Sequence, residues 1–493
     1  MIQGTGSSVG KSLIVAGLCR LYKKKGFKVF PFKPQNMSNN AAATIDGGEI
    51  GRAQALQALA AGIDPIKELN PILLKPESKN KSQLIVNGKY KETISGKGYQ
   101  EIKQSLLKDV IESYEKIAKI ADLIIIEGAG SPAEINLRDG DIANMGFATK
   151  LNIPTILVGD IDRGGVIASI VGTQSVLDPM DKKNIIAFIV NKFRGDPGLF
   201  KEGIIEIIKR TGWPFLGLIP YFDLAKFLPA EDTLDLEKII YEKNKKPKKI
   251  IKITIPILGK VSNFDDIDSL RMQPFIEINM IASNDIIPED TDIILLLGSK
   301  STINDLIELK NNGWDIDIKA HARKDKIVIG LCGGYQMLGK IINDPFGAEG
   351  SIRKIDGLGL LDVVTTIQKE KKVRRLSATH LYDNKTVEGY EIHLGKTSGT
   401  DCDRPMFRIN QKLEGAISSN YKIYGTYMHG FFNNKGACEW LLSLCNQSNY
   451  QNDIVDYDLK IDEILDNLAD HMERHLDWKK ILEISENYAR DSQ

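Results

Sequence analysis

The chain has 493 residues, of which 42% are hydrophobic and 26% charged, a balance typical of globular rather than disordered, collagenous or membrane-embedded proteins. At the usual one to two hundred residues per domain, this length predicts roughly two to four domains. Lys and Arg number 65, as do Asp and Glu, so the chain lacks the basic excess of nucleic-acid or membrane-surface proteins. Five scattered cysteines without a Cys-x-x-Cys pair argue against a disulfide scaffold and favour a reducing, cytoplasmic setting.

The first part of the chain alternates short apolar runs with helical periodicity, which predicts a mostly parallel sheet covered by helices. The predicted helices are Leu13–Lys25, Ile50–Ala61 and Tyr99–Ile120. A turn, or Gly, Asp or Asn, follows each predicted strand, at the sheet edge where open α/β folds bind ligands. These strands are Lys28–Phe32, Asp122–Glu127, Thr155–Gly159, Ile185–Asn191 and Phe215–Ile219.

A second α/β pattern follows the lysine-rich stretch Tyr241–Lys249, which we interpret as a solvated linker. The tail over Ile461–Ile484 has helical periodicity and mixed charge. The strands predicted between them are Ile251–Leu258, Phe275–Ala282, Ile293–Leu297, Ile327–Gly330 and Ile423–Tyr427. We therefore predict a first domain over 1–228, a linker over 229–249, a second domain over 250–445 and a helical tail over 446–493.

A glycine-rich loop near the start predicts a phosphate-binding site. Residues 4–12 read GTGSSVGKS and precede a predicted helix, so backbone N–H groups and the helix N-terminus would approach phosphate oxygens. Lys11 would reach the terminal phosphates, and the Ser12 hydroxyl would bind magnesium. Five residues rather than four separate Gly4 from Gly10, a spacing common among ATP-dependent ligases and ParA-like ATPases. The alternative is a glycine-rich turn without a ligand. The loop residues predicted to bind nucleotide are Gly4, Thr5, Gly6, Gly10, Lys11 and Ser12.

Polar residues at other predicted strand ends extend this site. Lys33 begins KPQNMSNN after one strand, and Glu127 begins EGAGSPAEIN after another, where it suits a magnesium ligand. Asn191 begins NKFRGD, and an Asn-Lys pair at a strand end is a candidate adenine contact. Each acid taken singly is better explained as a solvated turn residue or helix cap, but together with Lys11 at the same edge of one sheet these residues favour a nucleotide–metal site. Three further acids compete with Glu127 for the metal: Glu49, Asp160 and Asp162.

A cysteine in the second half lies at a predicted strand-to-helix turn. Ile327–Gly339 reads IVIGLCGGYQMLG, in which glycines on both sides of Cys332 permit the sharp turn that projects a nucleophile. A thiol at a helix N-terminus has a lowered pKa, so more thiolate is present at neutral pH. The N–H of Gly333 would then donate to an oxyanion. The alternative is a buried structural cysteine.

The nucleophile would need a second oxyanion donor and a base. The GSK turn that begins at Gly298 would supply the donor, from Gly298 or Ser299. His429, in GTYMHGFF at the end of an apolar strand, is the strongest candidate base, and His393 in GYEIHLG is second. We expect the remaining candidates in this half, His321 and His380, to lie at the surface.

These motifs, in this order, resemble the cobyric acid synthase family, the glutamine-dependent amidotransferases of cobalamin biosynthesis. The resemblance covers essentially the whole chain and rests on GTGSSVGKS, FKPQNMSNN, EGAGSPAEIN, DIDRGG, NKFRGD, GLCGGYQMLG, GYEIHLG and GTYMHGFF. It implies an N-terminal P-loop NTPase-like domain, similar to dethiobiotin synthetase, followed by a class I glutamine amidotransferase domain. It also implies ATP and Mg²⁺ as cofactors, and amidation of the b, d, e and g carboxylates of adenosylcobyrinic acid a,c-diamide with glutamine nitrogen.

The resemblance further implies that Cys332 is the nucleophile and His429 its base. Class I glutaminases usually carry a glutamate two residues after the histidine, but Phe431 occupies that position here, so we expect a Cys–His dyad without a defined orienting group. Leu297 stands where family members often have proline. Only Met1–Gln3 precede Gly4, so we expect a clipped first strand, with a few upstream residues missing from the reading frame.

Two alternatives remain open. The enzyme that amidates the a and c carboxylates of cobyrinic acid is related, but it carries a different sequence in place of FKPQNMSNN. A ParA-like ATPase fused to an inactive amidotransferase-like module would need neither Cys332 nor His429, and both are present. For the amidotransferase itself, two separate half-reactions imply a protected route for ammonia, and we expect neither a nucleic acid nor a membrane as partner.

Overall fold

The computed structural model describes residues 1–78, 81–229, 251–263 and 265–491. It divides into two compact units, and each is continuous in space but not in sequence. The first unit contains Met1–Ser38, Glu49–Leu228 and Ile461–Gln493, and the second contains Asn39–Gly48 and Pro229–Lys460. These boundaries differ from the predicted ones, because the tail is shared between the units and residues 39–48 leave the first domain. The predicted linker, apart from Pro229, lies outside the described residues.

The first unit is built on a parallel sheet whose strand ends carry the predicted phosphate site. Four strands pair in register, and a bridge between Ile2 and Glu127 adds a further parallel pair to the same sheet. The central strand Thr155–Asp160 is buried along its whole length and its middle is apolar, as expected for a parallel sheet covered on both faces. In spatial order the strands are Val29–Phe32, Leu123–Ile126, Ile2–Gly4, Thr155–Asp160, Ile185–Phe193 and Phe215–Pro220. All the strands predicted for this half are present.

Helices cover the sheet of the first unit, and the same unit contains a separate, smaller sheet. That small sheet was not predicted from the sequence, and its strands are Gln35–Met37, Ile72–Ser78, Lys81–Val86 and Lys89–Ser95. Short strands also form at Ala41–Ala43 and Glu49–Gly51. The helices are Lys11–Lys24, Arg52–Ala61, Gly96–Ala118, Met145–Lys150, Val166–Val176, Pro179–Asn184 and Lys201–Thr211, with 3₁₀ turns at Lys67–Leu69, Ile135–Leu137, Pro197–Phe200 and Asp223–Phe227.

The tail forms two helices, Tyr457–His475 and Trp478–Asp491, where the sequence predicted one. The break between them has a structural cause. Leu476 bridges to Gly217, and the N–H of Asp477 donates to the carbonyl of Leu216 at 2.7 Å, so the chain pairs briefly with a strand of the first unit. Because such pairing requires extended backbone, it interrupts the helix.

The second unit has a parallel sheet of its own with an antiparallel edge strand. Isoleucine-rich strands lie at its centre and are fully buried, so the sheet and its helices share one apolar core. In spatial order the strands are Ile276–Ile281, Ile251–Pro256, Ile293–Leu296, Ile327–Leu331, Ile423–Thr426 and the antiparallel Ala416–Ile417. The helices are Asp266–Met272, Thr302–Asn311, Trp314–Arg323, Gly333–Leu338 and Lys435–Leu444, with 3₁₀ turns at Thr400–Asp403, Phe431–Asn433 and Ser448–Asp453.

A second sheet in this unit lies along a long antiparallel hairpin, Val364–His380 with Thr386–Ser398. The basic stretch Lys371–Arg375 forms part of the first hairpin strand, where none of its residues is buried. The other strands are Ile341–Asn343, Lys354–Asp356, Phe407–Ile409 and Lys412–Glu414. Within the described ranges, we find no helix with the length and apolar character required to cross a bilayer.

Candidate active sites

The glycine-rich loop connects the strand Ile2–Gly4 to the helix Lys11–Lys24, as its sequence predicts. Gly10 has φ 96°, in the left-handed region that favours glycine, and a Cβ there would lie 2.3 Å from the side-chain nitrogen of Asn191. Lys11 Nζ donates to the carbonyls of Gly6 at 2.8 Å and Gly130 at 2.9 Å, so the lysine lies over the loop. Thr5 donates its backbone N–H to Val158 at 2.9 Å. That N–H holds the loop to the sheet.

Glu127 is the centre of a buried polar cluster behind the loop. Its Oε1 accepts hydrogen bonds from Ser12 Oγ at 2.8 Å and Lys33 Nζ at 2.7 Å, and its Oε2 accepts one from Gln57 at 2.6 Å. Burial, the largest influence, acts to raise the pKa of Glu127, but Lys33, Gln57 and Ser12 together lower it below its ordinary value. The carboxylate is therefore ionised at neutral pH. Gln57 was not predicted, since a glutamine within a helix carries no distinguishing sequence signal.

The C-terminal end of the strand Ile185–Phe193 contacts the glycine-rich loop. Asn191, predicted to contact adenine, is buried and donates its amide to the carbonyl of Val9 at 2.9 Å. Lys192, with φ 61°, donates to the carbonyl of Ser8 at 2.6 Å and to Asp160 at 2.7 Å. The sequence predicts an adenine contact for this Asn-Lys pair, and that role stays a prediction. These contacts make Asn191 and Lys192 supports of the loop backbone.

The acidic residues predicted to bind the metal lie in different surroundings. Glu49 is buried 3.0 Å from Lys75 Nζ, and Asp160 is paired with Lys192. Across the described residues there is no group of three or more His, Cys, Asp or Glu side chains arranged to hold a metal. A P-loop magnesium needs no such group, because phosphates and water supply most of its oxygens. The hydroxyl of Ser12 beside the ionised carboxylate of Glu127 is a set of hard oxygen donors that fits Mg²⁺.

In the second unit, Cys332 lies between the strand Ile327–Leu331 and the helix Gly333–Leu338, as its sequence predicts. Its φ of 50° and ψ of −104° are strained for a residue with a side chain, as at a nucleophile elbow. The turn needs glycine at Gly334, where a Cβ would lie 2.2 Å from the carbonyl oxygen of Leu296. The thiol is buried and donates to the carbonyl of Ile392 at 3.5 Å.

The three predicted oxyanion residues lie together around this cysteine. A Cβ on Gly333 would lie 2.7 Å from the backbone nitrogen of Ser299, so these two stretches of backbone are in close contact. A Cβ on Gly298 would lie 3.6 Å from Cys332 Cβ and 3.1 Å from His429 Cε1. Gly298 therefore lies close to both Cys332 and His429, and the backbone of Ser299 lies close to Gly333.

His429 is fully buried and has an orienting carboxylate, contrary to the expectation of a dyad. Asp266 Oδ2 lies 2.9 Å from His429 Nδ1, and Asp266 Oδ1 accepts the backbone N–H of Gly430 at 2.7 Å. Burial, the largest influence, acts to lower the pKa of His429, but Asp266 and Cys332 raise it above the ordinary histidine value. Asp266 precedes His429 by 163 residues, so no local motif indicates the pair.

Tyr390 contacts His429 through both its ring and its backbone. Its ring stacks on that of His429, with centroids 5.1 Å apart and planes at 16°. The two residues also exchange backbone hydrogen bonds of 3.0 and 2.9 Å, and the Tyr390 hydroxyl donates to Asp265 at 2.6 Å. Among the described residues, His429 Nε2 is buried and has no hydrogen-bond partner.

The other candidate histidines occupy different places. His393 stacks on Tyr427 with centroids 3.8 Å apart, and its Nδ1 lies 2.8 Å from the carbonyl of Gly395. The expectation that His321 and His380 lie at the surface is wrong, because both are buried. His380 packs among aromatic rings that include Phe431, the residue that replaces the usual glutamate. Phe431 therefore belongs to the apolar core, and Asp266 supplies the carboxylate that orients His429.

Comparison with known proteins identifies both units. Residues 1–235 match the family model described as the CobQ/CobB/MinD/ParA nucleotide binding domain, and residues 252–437 match the CobB/CobQ-like glutamine amidotransferase domain. Proteins named cobyric acid synthase are similar over nearly the whole chain. That of a Sinorhizobium species is 49% identical over 98% of both chains. That of Rhizobium johnstonii is 50% identical over 97% of this chain and 96% of its own.

A third relative of the same name, from Methylobacterium nodulans, is 49% identical over 98% of both chains. The two family models match the two predicted fold types in the predicted order, a P-loop nucleotide-binding domain and a glutamine amidotransferase domain. The resemblance inferred from the motifs is confirmed, and the chain belongs to the cobyric acid synthase family of glutamine amidotransferases.

Proposed function

We propose that this enzyme uses ATP and glutamine to amidate the b, d, e and g carboxylates of adenosylcobyrinic acid a,c-diamide. The observation that carries the proposal is the presence in one chain of two sets of side chains with different chemistry. One is a phosphate loop with an ionised carboxylate behind it, and the other is a strained cysteine beside a buried His–Asp pair. The name shared by the relatives supports the choice of substrate.

In the glutaminase reaction, the Cys332 thiolate attacks the amide carbon of glutamine. His429 Nε2 takes the thiol proton and returns it to the leaving nitrogen, so ammonia departs and a glutamyl thioester remains. Water then cleaves the thioester, which releases glutamate and restores the thiol. Asp266 accepts the Nδ1 proton of His429, which leaves Nε2 unprotonated and able to take the thiol proton. The N–H groups of Gly333 and of Gly298 or Ser299 stabilise the tetrahedral oxyanion.

In the synthetase reaction, the terminal phosphoryl group of ATP is transferred to a corrinoid carboxylate, and ADP is released. Ammonia attacks the resulting acyl phosphate, the amide forms and inorganic phosphate leaves. Lys11 lies over the loop, where its charge stabilises the phosphoryl group in transit. Lys33 is held at the loop by Glu127 and adds a second cation. Ser12 and Glu127 are the residues that would hold Mg²⁺, which would neutralise further phosphate charge.

The test is mass spectrometry of adenosylcobyrinic acid a,c-diamide incubated with the protein, ATP, magnesium and glutamine. Four carboxyl-to-amide conversions are the expected result, with one glutamate released per amide formed. Cobyrinic acid, offered in a parallel reaction, distinguishes the related diamide synthase. If that compound gains amides at a and c while the diamide stays unchanged, the proposed substrate is wrong.

A further inference from the structure

A cavity of about 130 Å³ in the first unit lies next to the phosphate loop. Part of its wall is the turn that follows the strand Leu123–Ile126, with Gly130 and Ser131. The carbonyl of Gly130 accepts a hydrogen bond from Lys11 Nζ at 2.9 Å. Because Lys11 would hold the terminal phosphate of ATP, a substrate group bound in this cavity would lie beside that phosphate.

Lys103 lines this cavity from the helix Gly96–Ala118 and is only 6% exposed. In the part of the chain that the structure describes, its ammonium group forms no ion pair and no hydrogen bond. Burial, the largest influence, lowers the pKa of Lys103, and the charge of Asp141 acts to raise it. Removing an ammonium group from water without giving it a partner costs free energy, so an anion in the cavity would stabilise this lysine.

The other charged side chains of the cavity wall are already paired or face solvent. Arg138 donates to both carboxylate oxygens of Asp181, at 2.6 and 2.8 Å. Asp141 accepts backbone N–H groups of the turn that follows it, at 2.8 to 3.1 Å. Glu134 is exposed. Lys103 is therefore the buried charge of this wall that is left to bind a ligand.

A neutral hydrogen-bond donor lines the same cavity. Tyr99 lies one helical turn before Lys103, and its hydroxyl donates to Gln35 Oε1 at 2.6 Å. Gln35 is part of the cavity wall, and within the described ranges its Nε2 donates to no acceptor. An ammonium group and an amide nitrogen only donate hydrogen bonds, so together they suit an anionic oxygen ligand such as a carboxylate and not a cation.

We propose that this cavity is the subsite for the acceptor carboxylate, which Lys103 and Gln35 bind beside the terminal phosphate of ATP. The inference rests on the proposed function and assigns residues to its corrinoid substrate. The volume, roughly that of four water molecules, admits one carboxyl-bearing side chain and not the macrocycle. One carboxylate oxygen forms the bond to the terminal phosphorus, while the bond from that phosphorus to the bridging oxygen of ADP breaks. Lys103 retains the other carboxylate oxygen during this transfer.

The test measures the Kd of adenosylcobyrinic acid a,c-diamide by titration calorimetry, with a non-hydrolysable ATP analogue and magnesium present. Lys103→Met keeps a buried apolar stem but removes the charge. It should raise this Kd about 10-fold to about 150-fold, the loss expected for a hydrogen bond to a charged group. The Kd of the ATP analogue should be unchanged. In synthesis from ammonium salt, KM for the corrinoid should rise at each of the four amidations, since every carboxylate must reach the same phosphate.

The control is Lys108→Met, the same substitution at an exposed lysine of the same helix, which should bind the corrinoid like the wild type. If Lys103→Met fails to fold, Gln35→Glu decides the question, because it keeps an acceptor for Tyr99 but turns the donor into a repelling carboxylate. An unchanged Kd for the corrinoid, or a raised Kd for the ATP analogue instead, would overturn the inference. Absence of amidation by the wild type refutes the proposed function, whereas amidation by Lys103→Met with the wild-type KM refutes only the subsite.

Discussion

Replacing Asp266 with asparagine tests the residue that orients His429. The side chain keeps its shape, so its oxygen can still accept the N–H of Gly430, but its amide nitrogen would then face His429 Nδ1. Because an amide nitrogen only donates, Nδ1 must become the acceptor and the ring proton moves to Nε2. An imidazole in that tautomer cannot take the proton from Cys332. We therefore expect glutamine-dependent amidation to fall steeply.

The magnitude follows from the burial of the pair. Both side chains are 0% exposed and their hydrogen bond is 2.9 Å long, so water does not replace the lost contact. A hydrogen bond to a charged group contributes about 1.5–3 kcal/mol, which corresponds to a reduction in kcat of about 10-fold to about 150-fold. The wrong tautomer adds to this loss. Amidation with ammonium salt should be unchanged, because that reaction does not use the glutaminase site.

The pH dependence of kcat/KM for glutamine is a second test of the role of Asp266. Asp266 raises the pKa of His429, so the imidazole stays protonated to higher pH than it would without the carboxylate. In the asparagine variant the pKa of His429 falls, and the alkaline limb of kcat/KM for glutamine should move to lower pH. Asp292→Asn, which alters a carboxylate that accepts the N–H of Lys252 in the same unit, is the control. An unmoved alkaline limb with near wild-type kcat would refute the assignment of Asp266.

Two further substitutions separate the two reactions, and a third tests the stability of the turn at Cys332. Cys332→Ser should be inactive with glutamine yet retain ammonia-dependent synthesis, measured as amide formation from each nitrogen source; full glutamine-dependent activity would contradict the two-site mechanism. Lys11→Ala should abolish synthesis from both sources, since both need the acyl phosphate, and substantial product would exclude the phosphate-loop assignment. Gly334→Ala places a Cβ 2.2 Å from the carbonyl oxygen of Leu296 and should lower the free energy of unfolding by about 1–3 kcal/mol, measured by denaturant titration; an unchanged midpoint would show that the turn relaxes.

Local sequence was sufficient to predict the features that depend on a few consecutive residues. GTGSSVGKS predicts the loop and the helix that follows it, and both lie where the sequence places them. IVIGLCGG predicts a turn at Cys332, because small residues on both sides permit a conformation that bulky ones exclude. The parallel strands of both units were likewise recognisable from their apolar runs. These features follow from backbone preferences and hydrophobic periodicity, which depend on residues close together in the chain.

The tertiary structure alone decided which distant residues complete each site. Asp266 reaches His429 across 163 residues, and its sequence context, DDIDS, reads as an ordinary acidic helix start. Lys192 supports Ser8, and residues 39–48 join the second unit, through contacts that no local pattern encodes. A phosphate loop or a nucleophile turn needs a particular local backbone, so its residues must be adjacent in the chain. A carboxylate that orients a base needs only to be near it in space, and any strand or helix end in the fold can supply it.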